Sequence, residues 1–189
     1  MIMNRTKVVD EDSIRRSVLR LAHEVVEKFK GAEEVVLVGI RKRGDHLAMR
    51  LARAIDEIEG KKIDVGVLDI TLYRDDLRGR LDHPELKSTE ILFNINGKIL
   101  VLVDDVLFTG RTIRAALDAL ADIGRPSTIQ LLVLLDRGHR ELPIRADFVG
   151  KNLPTSINQQ VEVHLKEVDG EDAVYLVDLE DSQYGISQA

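Results

Sequence analysis

The chain has no cysteine and no tryptophan. A disulfide framework and a cysteine-ligated metal site are therefore excluded, and nothing points to an oxidising compartment. No stretch approaches the roughly 20 apolar residues that a membrane span requires, and the first residues carry no apolar signal core. The cytoplasm is the expected location, with no membrane partner. Two nucleotide-binding spellings are also missing: there is no G-x-x-x-x-G-K-[ST] and no G-x-G-x-x-G after any apolar run, so neither the triphosphate P-loop nor the dinucleotide fingerprint is supported. The net charge of −6 argues against indiscriminate binding to nucleic acid. Internal repeats and low-complexity linkers are absent.

What is present suits one compact unit. The 189 residues, 44 % of them hydrophobic, are enough for a sizeable core in a single domain spanning 1–189. Residues 11–30 place Ile14, Val18, Leu21, Ala22, Val25, Val26 and Phe29 at helical spacing, with Asp10 or Asp12 to cap the start and Gly31 to end it. Further helices are expected at 45–58 and 111–123, the last stopped by Gly124-Arg125-Pro126. Buried strands are expected at 35–40, 63–72, 99–103 and 129–135, with short ones near Phe148, at 161–165 and at 174–179. Strands alternating with helices predict a parallel α/β sheet with helices on both faces. The polar stretch 72–90 is long for an unstructured connection, which suggests an active-site lid. The tail at 181–189 is expected to be loose.

The most informative segment reads Ile99-Leu100-Val101-Leu102-Val103-Asp104-Asp105-Val106-Leu107-Phe108-Thr109-Gly110-Arg111-Thr112. An apolar run of this kind is a strand buried on both faces, and open α/β sheets bind ligands outside the carboxyl ends of their strands. Two acids stand there, expected on opposite sides of the strand. Thr109, Gly110 and Thr112 follow where a helix begins, a place whose unpaired N–H groups suit a phosphate. Carboxylates beside a phosphate seat suggest a ribose phosphate. A structural strand with a capped helix would account for the apolar run but not for the paired acids.

Other strand ends add to this site. Arg41-Lys42-Arg43-Gly44 offers three cations for a diphosphate, and Asp136-Arg137-Gly138-His139-Arg140 ends the strand at 129–135. Tyr73, Arg74, Asp75 and Asp76 lie at the base of the lid segment. Together they suit substitution at a ribose C1 that bears diphosphate. Such a transition state needs cations and Mg²⁺ at the leaving group, carboxylates near the sugar and exclusion of water. The Mg²⁺ would ride mainly on substrate oxygens rather than on the protein, with Asp104 or Asp105 reaching it at most through water.

The segment 99–112 resembles the phosphoribosyl-pyrophosphate (PRPP) motif of type I phosphoribosyltransferases. Longer matches narrow this. They are Arg15-Arg16 with Ala22-His23-Glu24, Val38-Gly39-Ile40 with Arg43-Gly44, and Asp69-Ile70-Thr71-Leu72-Tyr73-Arg74-Asp75-Asp76-Leu77. The longest runs from Asp136 through Glu141-Leu142-Pro143-Ile144-Arg145-Ala146-Asp147-Phe148-Val149-Gly150 to Lys151-Asn152. On these the chain resembles, nearly end to end, the PyrR family of bifunctional pyrimidine-operon regulators with uracil phosphoribosyltransferase activity. The resemblance implies the type I fold, a mainly parallel sheet flanked by helices with a small hood or lid. It also implies Mg²⁺-dependent transfer of ribose 5-phosphate from PRPP to uracil, giving UMP and diphosphate. By match, Asp104, Asp105, Arg74 and Arg137 are the catalytic candidates. Lys42, Arg43, Val101, Leu102, Val103, Asp104, Asp105, Val106, Leu107, Phe108, Thr109, Gly110, Arg111 and Thr112 are those for PRPP or nucleotide, and the Asp136-Arg137 loop holds uracil. Family members are homodimers or higher homo-oligomers.

The resemblance further implies binding to the leader of pyrimidine messenger RNA, strengthened by uridine nucleotides and promoting transcription attenuation. Arg16, Arg20 and His23 share one polar face of the first helix, and Arg140, Arg145 and Lys151 add cations near the base loop. These six are the RNA candidates. Neither cluster carries a stacking ring, so recognition rests on phosphates, shape and polar contacts. Leu19 stands where some members have threonine, and Lys28 where they have arginine; lysine keeps the charge but loses the planar fork. Two other readings differ in weight: an RNA-binding regulator using the site as a nucleotide sensor, and a uracil phosphoribosyltransferase without RNA function.

Overall fold

The computed structural model describes residues 4–73 and 89–179. The tail and all of the expected lid between 74 and 88, Arg74 included, lie outside the described residues. In chain order the elements are β1 (Asn4–Val9), α1 (Glu11–Phe29), β2 (Val35–Ile40), α2 (Gly44–Glu59), β3 (Asp64–Leu68), a 3-10 turn (Thr71–Tyr73), β4 (Ile99–Leu107), α3 (Arg111–Ile123), β5 (Thr128–Asp136), β6 (Phe148–Asn152), β7 (Gln159–His164), α4 (Lys166–Asp169) and β8 (Ala173–Asp178).

A five-stranded sheet in the order β3-β2-β4-β5-β6 forms the centre, and every pair in it is parallel. The apolar strands alternate between its faces as the period of two requires. Leu37, Val101, Val103, Leu132 and Leu134 pack with α1 and α2 through Ile14, Leu21, Leu47 and Leu51. Val36, Val38, Leu100, Leu102, Leu131 and Val133 pack on the other face with Ile113, Ala116 and Leu120 of α3. Helices thus cover both faces, as the alternating pattern predicts.

The cap residues act as their chemistry suggests. Asp10 ends the extended segment before α1, and its Oδ1 accepts the Ser13 N–H at 2.8 Å. Lys30 closes the helix in the left-handed conformation, followed by Gly31.

Two expectations need correction. The strand expected at 63–72 ends at Leu68, and the chain turns through Thr71–Tyr73, where the Thr71 N–H and hydroxyl both donate to Asp69 Oδ1. β4 does not end at the acids: it runs through them to Leu107. Around them the alternation slips by one residue, so that Val106 packs with the α1 face and Leu107 with the α3 face.

The second sheet is antiparallel, ordered β1-β8-β7. It joins the two ends of the described chain, Asn4 pairing with Asp178, and forms the hood. Val9, Val163, Leu165 and Val174 continue the α1-side core into it.

Candidate active site

The parallel strands bring their carboxyl ends to one edge, where the loops after β2, β4 and β5 meet. Asp104 is buried at 5 % exposure, and its Oδ1 accepts the Asp105 N–H at 3.0 Å, while Asp105 Oδ1 accepts the Val106 N–H at 2.8 Å. Burial pushes the Asp105 carboxyl above its ordinary pKa, against the pull of the Arg43 charge and of these hydrogen bonds.

After β4 the chain turns at Gly110, whose φ of +94° is left-handed and open to glycine at little cost. Its hydrogen side faces Ile144 and Leu142 of the loop after β5, which a Cβ would meet at 3.3 and 3.4 Å. Thr109 Oγ1 accepts the Arg111 N–H at 3.3 Å. The α3 N-terminus thus opens onto a cavity of about 420 Å³ lined by Tyr73, residues 106–114 and Glu141. The backbone donors and positive dipole end suit an anion. Arg111 pairs with Glu141 at 2.6 Å, and Tyr73 donates its hydroxyl proton to Asp122 at 2.8 Å.

The loop after β5 is built around two arginines. Arg137, 6 % exposed, lies with its guanidinium 4.0 Å from the Phe108 ring centre and donates to the Ser156 carbonyl at 3.2 Å. Arg140 is an internal brace: it donates to the carbonyls of Ile144 at 2.9 Å and Phe108 at 2.6 Å, and it pairs with Asp136. Burial pushes the Asp136 carboxyl up, but the Arg140 hydrogen bond and charge hold it below its ordinary pKa. Beside Arg137, a second cavity of about 330 Å³ lies between Val106, Phe108 and Arg137 on one side and Gln159, Gln160, Val161 and Leu179 on the other. Val106 and Phe108 line both cavities.

The third loop, 41–43, carries Lys42 and Arg43 to the same edge. Gly44 permits this, because a Cβ there would stand 2.5 Å from the Val103 carbonyl oxygen. Arg43 is not directed only at the edge: its Nη2 and Nε bond the Asp169 carboxylate of α4 at 2.8 and 3.1 Å.

Among the described residues no group of three or more His, Cys, Asp or Glu could hold a metal ion. The paired hard oxygens of Asp104 and Asp105 fit Mg²⁺ arriving on a substrate, in keeping with its preference for waters and one or two carboxylates.

Of the RNA candidates, Arg16, Arg20 and His23 are exposed on α1, and Arg145 and Lys151 are exposed near β6. Arg20 joins the two groups, donating to the carbonyls of Val149 at 3.2 Å and Gly150 at 2.5 Å. Arg140, the sixth, is half-buried and bonds the carbonyls of Ile144 and Phe108 and the Asp136 carboxylate.

The phosphoribosyl transferase domain family matches residues 5–167. The bifunctional protein PyrR of Pelotomaculum thermopropionicum is 58 % identical over 178 residues, covering 94 % of this chain and 98 % of the relative. That of Thermus aquaticus is 60 % identical over 172 residues, covering 91 % and 95 %. The chain belongs to the PyrR family of phosphoribosyltransferases. Among solved structures, PyrR-family geometry here is similar to the hypoxanthine phosphoribosyltransferase of Trypanosoma cruzi, with TM-score 0.69 and 19 % identity over 93 % of this chain and 97 % of that one. The hypoxanthine-guanine enzyme of Bacillus anthracis gives 0.66 and 20 %, covering 95 % and 99 %. At such identities the likeness concerns the fold.

The sequence reading of this PyrR-family site missed its hood side, Gln159, Gln160 and Asp169. None lies in a glycine-rich or acid-paired motif; the spacing that marks β7 as a strand does not say which strand end it will cover.

Proposed function

We propose that this protein transfers ribose 5-phosphate from PRPP to uracil, releasing diphosphate, and that the nucleotide-loaded protein binds pyrimidine leader RNA. The observation that carries the catalytic half is the pair of adjoining cavities that share Val106 and Phe108. One offers a helix N-terminus for a phosphate, and the other, between Phe108–Arg137 and the hood, would take the base. Asp104 and Asp105 stand on the strand that leads to both.

In this reading the N–H groups and hydroxyls at 109–112 hold the 5-phosphate, and the two aspartates accept from the ribose hydroxyls. Lys42 and Arg43 face the diphosphate. Uracil rests against Phe108, with Arg137 and the glutamines of β7 positioned for its carbonyls and N–H. As the C1–diphosphate bond lengthens, positive charge on the sugar is stabilised by the carboxylates and negative charge on the leaving group by the cations. Asp104 or Asp105 would help to hold Mg²⁺ through water, and the ion would supply positive charge that offsets the charge on the leaving group. Burial of Asp104 and Arg137 limits access of water at the sugar.

The RNA half is supported by the convergence of Arg16, Arg20 and His23 with Lys151 through the Arg20 bonds to β6, a local basic face on an acidic protein. A homo-oligomer in the cytoplasm is part of this proposal. The test supplies labelled uracil, PRPP and Mg²⁺ and measures UMP, with hypoxanthine as the competing base; binding to the organism's own pyrimidine leader RNA is then titrated with and without UMP. UMP formation and UMP-strengthened RNA binding are expected. Absence of UMP defeats the catalytic half, and UMP-insensitive weak binding defeats the regulatory half.

A further inference from the structure

The loop at 41–43 has little freedom in its backbone. The Arg41 N–H donates to the Leu68 carbonyl at 3.0 Å, the Leu47 N–H to the Arg43 carbonyl at 2.9 Å, and Gly44 is pressed against β4. What can move is the Arg43 side chain. Its guanidinium fork grips one carboxylate, that of Asp169, with two bonds. A fork of this geometry takes carboxylate or phosphate equally well.

Asp169 is itself held from the hood side. Its Oδ2 accepts the Leu165 N–H at 2.9 Å, and its own N–H donates to the Leu165 carbonyl at 2.7 Å. The short helix that carries it is tied to α2 by Arg50, which bonds Glu167 and Asp172. Asp169 would thus keep a hydrogen-bond donor if Arg43 left it.

We propose that Asp169 is a positioning residue that holds Arg43 in place of the substrate's diphosphate, so that ligand and hood compete for one cation. Diphosphate binding transfers the Arg43 fork from Asp169 to phosphate oxygens and removes the tie between hood and loop. The hood strand β7, which supplies Gln159 and Gln160 to the cavity beside Arg137, runs straight into α4 through Leu165. Occupancy of the diphosphate subsite is thereby reported to the base slot across 126 residues of chain, the separation of Arg43 and Asp169. This inference rests on the phosphoribosyl-transfer reading of the site.

The experiment measures calorimetric binding of Mg²⁺-diphosphate to the full chain and to Asp169→Asn, Arg43→Gln and the double variant. Asparagine keeps an acceptor for the Leu165 N–H and removes the competing charge. The expected result is diphosphate affinity about threefold to fivefold tighter in Asp169→Asn, the scale of a partly exposed ion pair. In the Arg43→Gln background the same change should have no effect. A purely structural role would lower the melting temperature without tightening diphosphate. Unchanged or weaker binding in Asp169→Asn, or equal effects in both backgrounds, overturns the inference. Should Asp169→Asn fail to fold, Asp169→Ser is measured in the same cycle with the same expectation. Because no uracil or turnover is involved, failure here is distinct from failure to form UMP, which would defeat the functional reading instead.

Discussion

Burial raises the pKa of the Asp105 carboxyl, and the Arg43 charge only partly offsets this. The sign has a consequence for stability. A group that binds its proton more tightly folded than unfolded subtracts stability as pH rises through the window between the two values, and the loss is complete above it. Asp105→Asn is therefore expected to raise the melting temperature at pH 7, with the gain vanishing as the pH falls below the ordinary carboxylate range. The same change should lower UMP formation by about 100-fold, because the charge is missing where the sugar becomes cationic. Thermal unfolding across pH, with turnover in parallel, checks both. The two aspartates were legible in the sequence because strand, acids and helix start lie within one short segment. The Arg43–Asp169 pair was not: its partners are 126 residues apart, and a carboxylate in a run such as Lys166-Glu167-Val168-Asp169 looks like any solvated turn.

Elements decide which cations are available. In sequence, Arg137, His139, Arg140, Arg145 and Lys151 form one basic run. In the fold they separate: Arg137 and Arg140 turn inward and bond carbonyls of neighbouring loops, and Lys151 emerges on β6 near Arg20 of α1. Arg140→Ala is expected to lower both the melting temperature and UMP formation, because it leaves the Phe108 and Ile144 carbonyls and Asp136 without their donor. Lys151→Ala should leave UMP formation intact and reduce the slope of RNA affinity against salt by about one, the signature of one lost phosphate contact. Equal catalytic damage from both would show that the loop and the basic face are not separate. Helix boundaries were well marked, α3 by Gly110 and by Gly124-Arg125-Pro126. The strand end at Leu107 was less so, since acids within a strand read as its end.

At the scale of the whole molecule, the hood is fastened to the core by Arg50. Burial opposes the charge on Arg50, but bonds to Glu167 and Asp172 outweigh it and push its pKa up. The Arg50 bond holds Glu167 below its ordinary value, and it does the same for Asp172 against the cost of burial. Such depressed carboxylates contribute stability above their unfolded values and lose it as pH falls through the folded ones. Arg50→Ala is expected to cost on the order of 2 kcal/mol at pH 7, a figure between that of an exposed pair and a buried one. The penalty should shrink below about pH 4, where the carboxylates would protonate anyway. Urea unfolding at several pH values measures this; a penalty independent of pH would place the effect in packing rather than charge.

The sequence by itself determined the parallel core, its helices, and the gathering of the acid pair, the Thr109–Thr112 turn and the loop after β5 at one sheet edge. These are encoded locally, in periodicity, caps and short motifs. Only the tertiary structure decided that β1 and β8, from opposite ends of the described chain, form a hood with β7, that Gln159 and Gln160 line the cavity beside Arg137, and that Arg43 and Arg140 are already engaged by the protein. Those outcomes depend on which surfaces meet after the chain has closed on itself, and periodicity carries no information about a partner more than 100 residues away.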